Sequence, residues 1–306
     1  MVKNQKKETV HETVLLAEVL STFKVKEEQN QVIIDATLGT GGHAVELVKN
    51  GVTLLGIEID PQMLEIARMR LDACPVSHLV GGRPYKLILG NFKDLDSIAK
   101  SQGFSEVNGV LFDLGVSNLH LKDTTRGFSF DNAEADLDMR LSEASQAVKA
   151  MDLLNVLRAD QLKELFSKVL DYRSTQRLVD NIVKFRATGA FRKVDDLLAV
   201  AGIGRQGKQR HPATKAFLAL RMAVNSELAN LEEALPRAFA LLAKGGKLCV
   251  ISFHSGEDKI VKRYFADLDR ASLGELVTAK PVIPTDIERL GNRRSRSAKM
   301  RVIRKV

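Results

Sequence analysis

Short apolar segments with strand character alternate with helical segments along most of this 306-residue chain. The strand-like segments cover residues 31–38, 53–60, 85–92, 107–115, 247–253 and 299–306. Helical periodicity follows the first two of them, over residues 43–51 and 61–73, and Pro61 suits the first turn of a helix. This alternation predicts a parallel, doubly wound α/β sheet that binds its ligand beyond the carboxyl ends of the strands.

The alternation stops between about residues 119 and 210, where helical and charged segments predominate. It resumes with one long helix predicted over residues 213–246, which leads into the fifth strand. The pattern therefore predicts a discontinuous, Rossmann-like α/β domain formed by residues 1–118 and 211–306, interrupted by a helical insertion domain formed by residues 119–210.

Composition narrows the class of protein. The net charge of +8 is a mild excess that suits a polyanionic partner without identifying one. Cys74 and Cys249 are too far apart for a disulfide framework or a zinc-finger pattern, which favours a cytoplasmic location. No apolar run approaches the ~20 residues that cross a bilayer, so a membrane partner is not expected.

A glycine-rich turn, DATLGTGGHA from Asp35 to Ala44, follows the first predicted strand. Glycines let a ligand approach the backbone, so a nucleoside triphosphate, a dinucleotide and an adenosine-type cofactor without phosphates compete for the turn. A nucleoside triphosphate is not supported, because no Gly-Lys-Ser/Thr follows the turn to supply a lysine for the terminal phosphates. A dinucleotide stays open, since Gly39, Gly41 and Ala44 match G-x-G-x-x-A, and Glu58 could accept hydrogen bonds from a ribose.

Acidic residues end three of the predicted strands. Asp35 ends the first, Glu58 and Asp60 end the second, and Asp113 ends the fourth. Four carboxylates at neighbouring strand ends would repel a pyrophosphate but suit a cation. S-adenosylmethionine carries a sulfonium and an ammonium group, so this cofactor is favoured.

Asp113 begins the segment DLGVSN and predicts the kind of methyl acceptor. An exocyclic amine on cytosine or adenine is a poor nucleophile, and acceptors that hold its N–H groups favour a tetrahedral nitrogen. A carbon-5 cytosine methyltransferase would need a cysteine nucleophile, whereas Cys249 has the pattern of a buried strand residue. The Asp/Asn-Pro-Pro-aromatic signature usual for amino-methyltransferases is absent, so the DLGVSN loop would have to replace it.

An ordered series of motifs makes the chain resemble the bacterial ribosomal RNA small-subunit methyltransferase H family, also called MraW. The motifs are HETVLLAEVL, DATLGTGGHA, GIEIDP, GNF, GVLFDLGVSN, RGFSF, LDMRL, HPATKAFLALRMAVNSEL, GGKLCVISFHSGEDKIVKRYF and RSAKMR. The resemblance implies a class I S-adenosylmethionine-dependent enzyme that methylates the N4 atom of one cytidine in the decoding region of 16S rRNA. Its partner would be 16S rRNA or the 30S subunit, and both a monomer and a dimer remain open.

The resemblance also implies a cofactor site, with catalytic Asp113 near the methyl group. The expected cofactor-binding residues are Gly41, Gly42, His43, Glu58, Phe92, Asp113 and His120. Glu58 would hold the ribose and Phe92 would pack on the adenine. His120 stands where the family usually has glutamine, and Glu58 where it usually has aspartate. The stretch DNAEADLDMRL lacks the family's Gly-Pro, and Tyr172 begins Tyr-Arg-Ser-Thr in place of Tyr-Gly-Glu-Glu.

Further candidates follow from position in the predicted fold. His254 lies at the carboxyl end of the fifth strand and is predicted to be a second catalytic residue that positions the substrate. Asn225 lies inside the predicted long helix, has no helix end to cap, and is therefore a candidate for substrate contact. Arg140, Lys215 and Arg221 are further substrate-binding candidates, expected to contact RNA phosphates.

Two basic clusters are expected to grip the RNA backbone. The insertion contributes Arg126, Arg140, Arg173, Arg177, Lys184, Arg186, Arg192 and Lys193. The C-terminal segment 292–305 holds seven basic residues and no acidic residue. It could either contact RNA or form a solvated strand at the edge of the sheet. Two other functions also remain open: a non-catalytic RNA-binding ribosome-assembly factor and an NAD-dependent oxidoreductase.

Overall fold

The computed structural model describes residues 13–25, 30–75, 83–202 and 213–306. Contacts within the chain divide it into two units. Unit 1 comprises Met1–Gly115 and Asn230–Val306, and unit 2 comprises Val116–Ala229. No helix in the described ranges is long and apolar enough to cross a membrane.

Unit 1 is built on a seven-stranded sheet. The strands are β1 (Val32–Asp35), β2 (Thr53–Glu58), β3 (Tyr85–Leu89), β4 (Val107–Asp113), β5 (Leu242–Ser252), β6 (Gly274–Leu276) and β7 (Lys299–Lys305). Their order in the sheet is β3-β2-β1-β4-β5-β7-β6. Strands β1 to β5 pair in parallel, whereas β7 is antiparallel to both of its neighbours.

Helices cover both faces of this sheet, because successive strand residues point to opposite sides. Ile33 and Leu54 belong to one buried cluster, while the adjacent Ile34 and Leu55 belong to another. The helices of the first cluster are α1 (Leu16–Phe23), α2 (Gly42–Lys49) and α3 (Pro61–Asp72). The second cluster contains residues of α4 (Leu95–Ser101), α11 (Glu227–Leu241) and α12 (Ser255–Arg270). A short helix, α13 (Asp286–Gly291), precedes β7.

The six predicted strands are confirmed, and Cys249 is fully buried within β5 as expected. The interpretation of the C-terminal segment as a solvated edge strand is wrong. Strand β7 pairs with β5 on one side and β6 on the other, and it buries Met300, Val302 and Ile303. The three-residue β6 was not predicted, because it is too short to show a periodic pattern.

Unit 2 is helical. Its helices are α5 (Asn118–Lys122), α6 (Ala150–Val156), α7 (Ala159–Ser167), α8 (Tyr172–Arg186), α9 (Val194–Ala201) and α10 (Thr214–Val224). Phe217 and Leu220 of α10 pack in one core with Leu162 and Phe166 of α7. The segment 213–229 therefore belongs to the helical unit, although the sequence pattern placed it in the α/β domain.

The single helix predicted over residues 213–246 is also wrong. Helix α10 ends at Val224, Asn225 caps it, and α11 begins at Glu227. The break falls at Ser226, whose φ of 51° lies in the left-handed region and cannot continue an α-helix. At the other end, α11 gives way at Leu242 to β5.

Candidate active site

The glycine turn connects β1 to α2 at the carboxyl edge of the sheet. Gly39 and Gly41 both have positive φ, at 54° and 77°. A side chain at Gly41 would press on Ala67 of α3, and one at Gly42 would clash with Thr13. Packing against the protein therefore explains Gly41 and Gly42 without a ligand. At Gly39 the nearest atom to an added Cβ is the backbone oxygen of Thr37, 3.9 Å away, so that side of the turn is open.

Glu58 ties the glycine turn to the end of β2. Its buried carboxylate accepts hydrogen bonds from the backbone N–H of Gly39 (2.7 Å) and from that of Asp60 (2.8 Å). Asp60 in turn caps α3 by accepting from the N–H of Gln62 at 2.8 Å, with Pro61 at the first helical position as predicted. Each carboxylate oxygen has a second lone pair, so Glu58 can hold the turn and still accept from a hydroxyl group.

Asp35 and Asp113 are brought together by a threonine that the sequence analysis missed. The N–H of Thr37 donates to Asp35 Oδ1 (3.2 Å), and Thr37 Oγ1 accepts from the N–H of Asp113 (2.6 Å). His43, in the first turn of α2, places Nε2 3.7 Å from Asp113 Oδ2. Asp113 Oδ1 is buried and makes no hydrogen bond with any described residue. This oxygen is therefore able to accept from a ligand.

The two aspartates resist ionisation. Burial raises the pKa of Asp35 to about 7, against the opposing hydrogen bond from Thr37, and the carboxylates of Asp113 and Glu58 raise it further. Burial also raises the pKa of Asp113 to about 6, although the positive charge of Arg294 opposes the rise. A cationic ligand would favour the ionised form of both groups. The predicted cluster of strand-end carboxylates therefore exists, with electrostatics that suit a sulfonium.

Phe92 lies just after the end of β3, and Arg294 lies shortly before β7 and contributes to the electrostatics of Asp113. Phe92 follows β3 in a short 3-10 turn, and its half-buried ring meets Phe112 edge to face, with centroids 5.6 Å apart. The guanidinium of Arg294 lies over the ring of Phe253, 5.1 Å from its centroid. Arg294 is half-buried, whereas Arg293 and Arg296 are exposed. The sequence treated these three arginines as one RNA-binding cluster, but the structure separates Arg294 from the others.

His254 begins α12 and is held by Glu257. Its Nδ1 accepts from the N–H of Glu257 (3.4 Å), and its Nε2 lies 3.2 Å from Glu257 Oε1. The buried Glu257 carboxylate also accepts from the N–H of Phe253 at 2.9 Å. His254 therefore caps a helix, and its predicted role in substrate positioning stays a prediction. His254 and Glu257 form a capping box in the structure, with histidine in place of the serine or threonine that is usual at its first position.

Asn225 is fully engaged inside unit 2. Its Oδ1 accepts from the N–H of Leu141 (3.0 Å) and from Gln146 Nε2 (2.8 Å). Its Nδ2 donates to the carbonyl oxygens of Met139 and Arg221, each at 2.9 Å. The premise that Asn225 lies in mid-helix was wrong, because the residue caps α10 and joins it to the 139–146 segment.

The two arginine candidates of unit 2 are held in ion pairs. Arg140 makes a two-pronged pair with Asp138, in which Nε and Nη2 each lie 2.7 Å from a carboxylate oxygen. Arg221 pairs in the same way with Glu227, at 2.7 and 2.9 Å. Lys215 is exposed on α10. Of these three candidates, Lys215 is the one placed to meet a phosphate without first giving up a buried partner.

His120 completes the capping box of α5, in which Ser117 is the N-cap residue, and all these contacts lie within unit 2. The N–H of Ser117 donates to His120 Nδ1 at 3.0 Å, and the buried imidazole ring lies 5.4 Å from that of Phe128. These contacts explain a histidine at this position by packing and capping. Its predicted contact with the cofactor stays a prediction.

The sheet, the glycine turn and the strand-end carboxylates define a Rossmann-like, class I methyltransferase that uses S-adenosylmethionine. The match to known proteins is specific: the chain fits the model of the MraW methylase family over residues 8–306. The protein belongs to this family. The dinucleotide alternative and the oxidoreductase function are therefore set aside.

Curated relatives share this match along their whole length. A ribosomal RNA small subunit methyltransferase H from Sulfurihydrogenibium sp. is 37% identical over 97% of this chain and 99% of its own length. The protein of the same name from Helicobacter pylori is 38% identical over 97% of this chain and 98% of its own. Among solved structures, Streptococcus mutans SMU.1697c in complex with SAH is 12% identical, with a TM-score of 0.46 and full coverage of both chains.

Proposed function

We propose that this protein methylates the exocyclic N4 amino group of a cytidine in the decoding region of 16S rRNA. S-adenosylmethionine supplies the methyl group from its sulfonium. The observation that carries the proposal is Asp113 Oδ1, a buried acceptor without a hydrogen bond to any described residue, beside a second carboxylate at the carboxyl ends of β1 and β4. The names of the curated relatives, which are methyltransferases of small-subunit ribosomal RNA, support the choice of RNA.

Asp113 is proposed to hold the amino group and to receive its proton. The side chain as a whole is 18% exposed, and the raised pKa of about 6 leaves it ionised at neutral pH. Accepting an N–H bond draws the nitrogen towards a tetrahedral geometry and frees its lone pair for the methyl carbon. The nitrogen–carbon bond forms as the carbon–sulfur bond breaks, and the surplus amino proton passes to the carboxylate.

Other residues of unit 1 are proposed to hold the cofactor. Glu58 would accept from the ribose while keeping its bonds to the turn, and Phe92 would pack on the adenine. Asp35 is only 1% exposed, so it would act through its field on the positive charge and not by direct contact. Gly41, Gly42 and His43 would line the turn with their backbone.

Unit 2 is proposed to contact RNA through its exposed basic residues. Arg173, Arg177 and Lys184 are exposed on α8 and lie within about 40° of one another around the helix, given 100° per residue. Asp180 lies on the same stripe and reduces its charge. Arg126 and Arg140 are instead bonded to carbonyl or carboxylate oxygens of the protein, so they are weaker candidates. Arg186 donates from Nη1 to the carbonyl oxygen of Leu157, while its Nε and Nη2 are buried without a hydrogen bond to any described residue.

The test is methyl transfer from labelled S-adenosylmethionine to 30S subunits that lack the modification, followed by mapping of the labelled nucleotide. Label at N4 of one decoding-region cytidine is the expected result. Parallel reactions with naked 16S rRNA decide which form is the substrate. RNA binding without any label would replace the proposal with the non-catalytic assembly factor, and label on another atom or base would overturn the assigned chemistry.

A further inference from the structure

A polar cavity of about 320 Å³ opens at the amino ends of the strands in unit 1. Four basic residues line it: Lys24, Lys244, Lys247 and Arg304. Gln31 and Asn108 add amide groups, and none of the lining residues in the described part of the chain is acidic. Such a concentration of positive charge in a concave site favours an anion.

The cavity is built into the sheet by an irregularity between β4 and β5. The register shifts there, so that Val107 pairs with Leu242 but Gly109 pairs with Lys247. The extra residues of β5 turn at Gly245, where φ is 82°. A side chain at Gly246 would lie 2.9–3.2 Å from three backbone oxygens, so this bend requires glycine.

Three of the polar groups are held in place by the protein. Asn108 Oδ1 accepts from the N–H of Val32 at 2.8 Å, which leaves its amide N–H₂ as a donor on the cavity wall. Lys247 Nζ donates to the carbonyl oxygen of Thr22 at 2.5 Å. Arg304 pairs with Glu275 at an exposed site. Lys24 and Lys244 are both exposed.

We infer that this cavity is a second RNA site, which binds a backbone phosphate of the substrate at a distance from the modified cytidine. Asp113 lies five residue steps after Asn108 along β4, about 17 Å at ~3.3 Å per residue, so the cavity is separate from the cofactor site. A ribosomal RNA is long enough to reach both. Exposed lysines around an open, polar cavity suit the phosphate backbone, whose recognition is sequence-independent and sensitive to salt.

The inference rests on the proposed RNA substrate and is tested by the variant Lys24→Gln/Lys244→Gln. Lys100→Gln/Lys280→Gln, which removes two exposed lysines of unit 1 outside the cavity, is the control with the same loss of charge. Binding of 16S rRNA is measured across a series of KCl concentrations. The cavity variant should lower the slope of log K against log salt by ~0.7–0.9, the value for one phosphate that is no longer neutralised, and the control by much less. Affinity for S-adenosylhomocysteine should be unchanged in both variants, which also shows that they fold.

Equal slopes for the two double variants would overturn the inference. Calorimetry with inorganic phosphate and with a nucleoside monophosphate distinguishes the source of the anion. If Lys24→Gln/Lys244→Gln loses affinity for these small ligands while RNA binding keeps its slope, the cavity serves a free phosphate compound and the RNA assignment is wrong. The proposed methylation fails separately, through the absence of label at cytidine N4 with the unaltered protein, whatever the slopes show.

Discussion

Polar residues that the sequence marked as functional differ between the two units in how far the protein satisfies them. In unit 2, Asn225 makes four hydrogen bonds to protein groups, and Arg140 forms a bidentate ion pair with Asp138. In unit 1, Asp113 has a buried oxygen without a hydrogen bond to any described residue. All three are buried or half-buried polar residues that the sequence marked as functional. A buried polar group is normally satisfied by the protein itself, so a satisfied one is explained by the fold and an unsatisfied one calls for a ligand. We therefore expect Asn225 and Arg140 to stabilise unit 2 and Asp113 to bind a ligand.

The largest effect is expected at Asp113. Asp113→Asn keeps the shape but removes the acceptor charge, and methyl transfer should fall by about 10²–10⁴-fold, the range for a positioned acid–base group. Folding should not be weakened, because burial disfavours the Asp113 charge in the native state, so removing it should leave the free energy of unfolding unchanged or higher. Turnover with labelled cofactor and the thermal midpoint measure the two effects. Asp267→Asn, at an exposed ion pair on α12, is the control. Near-normal turnover in Asp113→Asn would remove this residue from the mechanism.

A substitution at Arg140 should instead lower stability and leave RNA binding unchanged. Arg140→Ala leaves the Asp138 carboxylate without its main partner, and both side chains are only 11–12% exposed. Breaking such a pair should lower the free energy of unfolding by about 3 kcal/mol, near the lower end of the range for buried pairs. The slope of RNA affinity against salt should stay the same. Arg158→Ala, which breaks an exposed pair in the same unit, should leave stability unchanged. A stable Arg140→Ala protein with a reduced salt slope would show that Arg140 contacts RNA after all.

Glu58 combines both properties, because protein groups already bond to its carboxylate and it is also predicted to bind the ribose of the cofactor. Glu58→Ala should weaken S-adenosylmethionine by about 1.5–3 kcal/mol, the range for a hydrogen bond to a charged group. Calorimetry measures this loss, with Glu46→Ala on α2 as the control. Glu58→Gln, which keeps one acceptor oxygen, should recover part of the affinity. Unchanged affinity in Glu58→Ala would show that its bonds to Gly39 and Asp60 are its whole role.

Local pattern was enough to predict the strands, the glycine turn and the carboxylates, because each depends on a few neighbouring residues. The antiparallel direction of β7 could not be predicted this way, since it depends on strand pairs distant in sequence. The break at Ser226 was hidden because apolar residues keep helical spacing on both sides of it. The role of Thr37 was missed because its partner Asp113 lies 76 residues away in the sequence. Glu257 bonds to residues three and four positions before it, but a histidine in place of the usual serine or threonine hides the capping box.

Ligand charge should make binding depend on pH. With a pKa of about 7, Asp35 is mostly protonated at pH 6, and a cationic ligand must displace that proton. Affinity for S-adenosylmethionine should therefore fall about tenfold from pH 8 to pH 6, since binding that releases one proton weakens by up to about tenfold per pH unit below the pKa. S-adenosylhomocysteine, which lacks the sulfonium charge, should show a smaller change, and Asp35→Asn should flatten the difference. The same pH dependence for both ligands would show that these carboxylates do not sense the sulfonium.

The smallest effects are expected in the C-terminal arginines, where the comparison can be made within one 3-10 turn, Arg293–Ser297. Arg293→Gln/Arg296→Gln removes two exposed charges and should lower the salt slope of RNA binding by up to ~0.7–0.9 for each phosphate that these arginines neutralise. Arg294→Gln removes the half-buried guanidinium that opposes the raised pKa of Asp113. It should therefore raise that pKa and move the acidic limb of the pH–turnover profile to higher pH, a shift that the double variant should not produce. If all three substitutions change only the salt slope of RNA binding, Arg294 acts on RNA as its exposed neighbours do and does not set the pKa of Asp113.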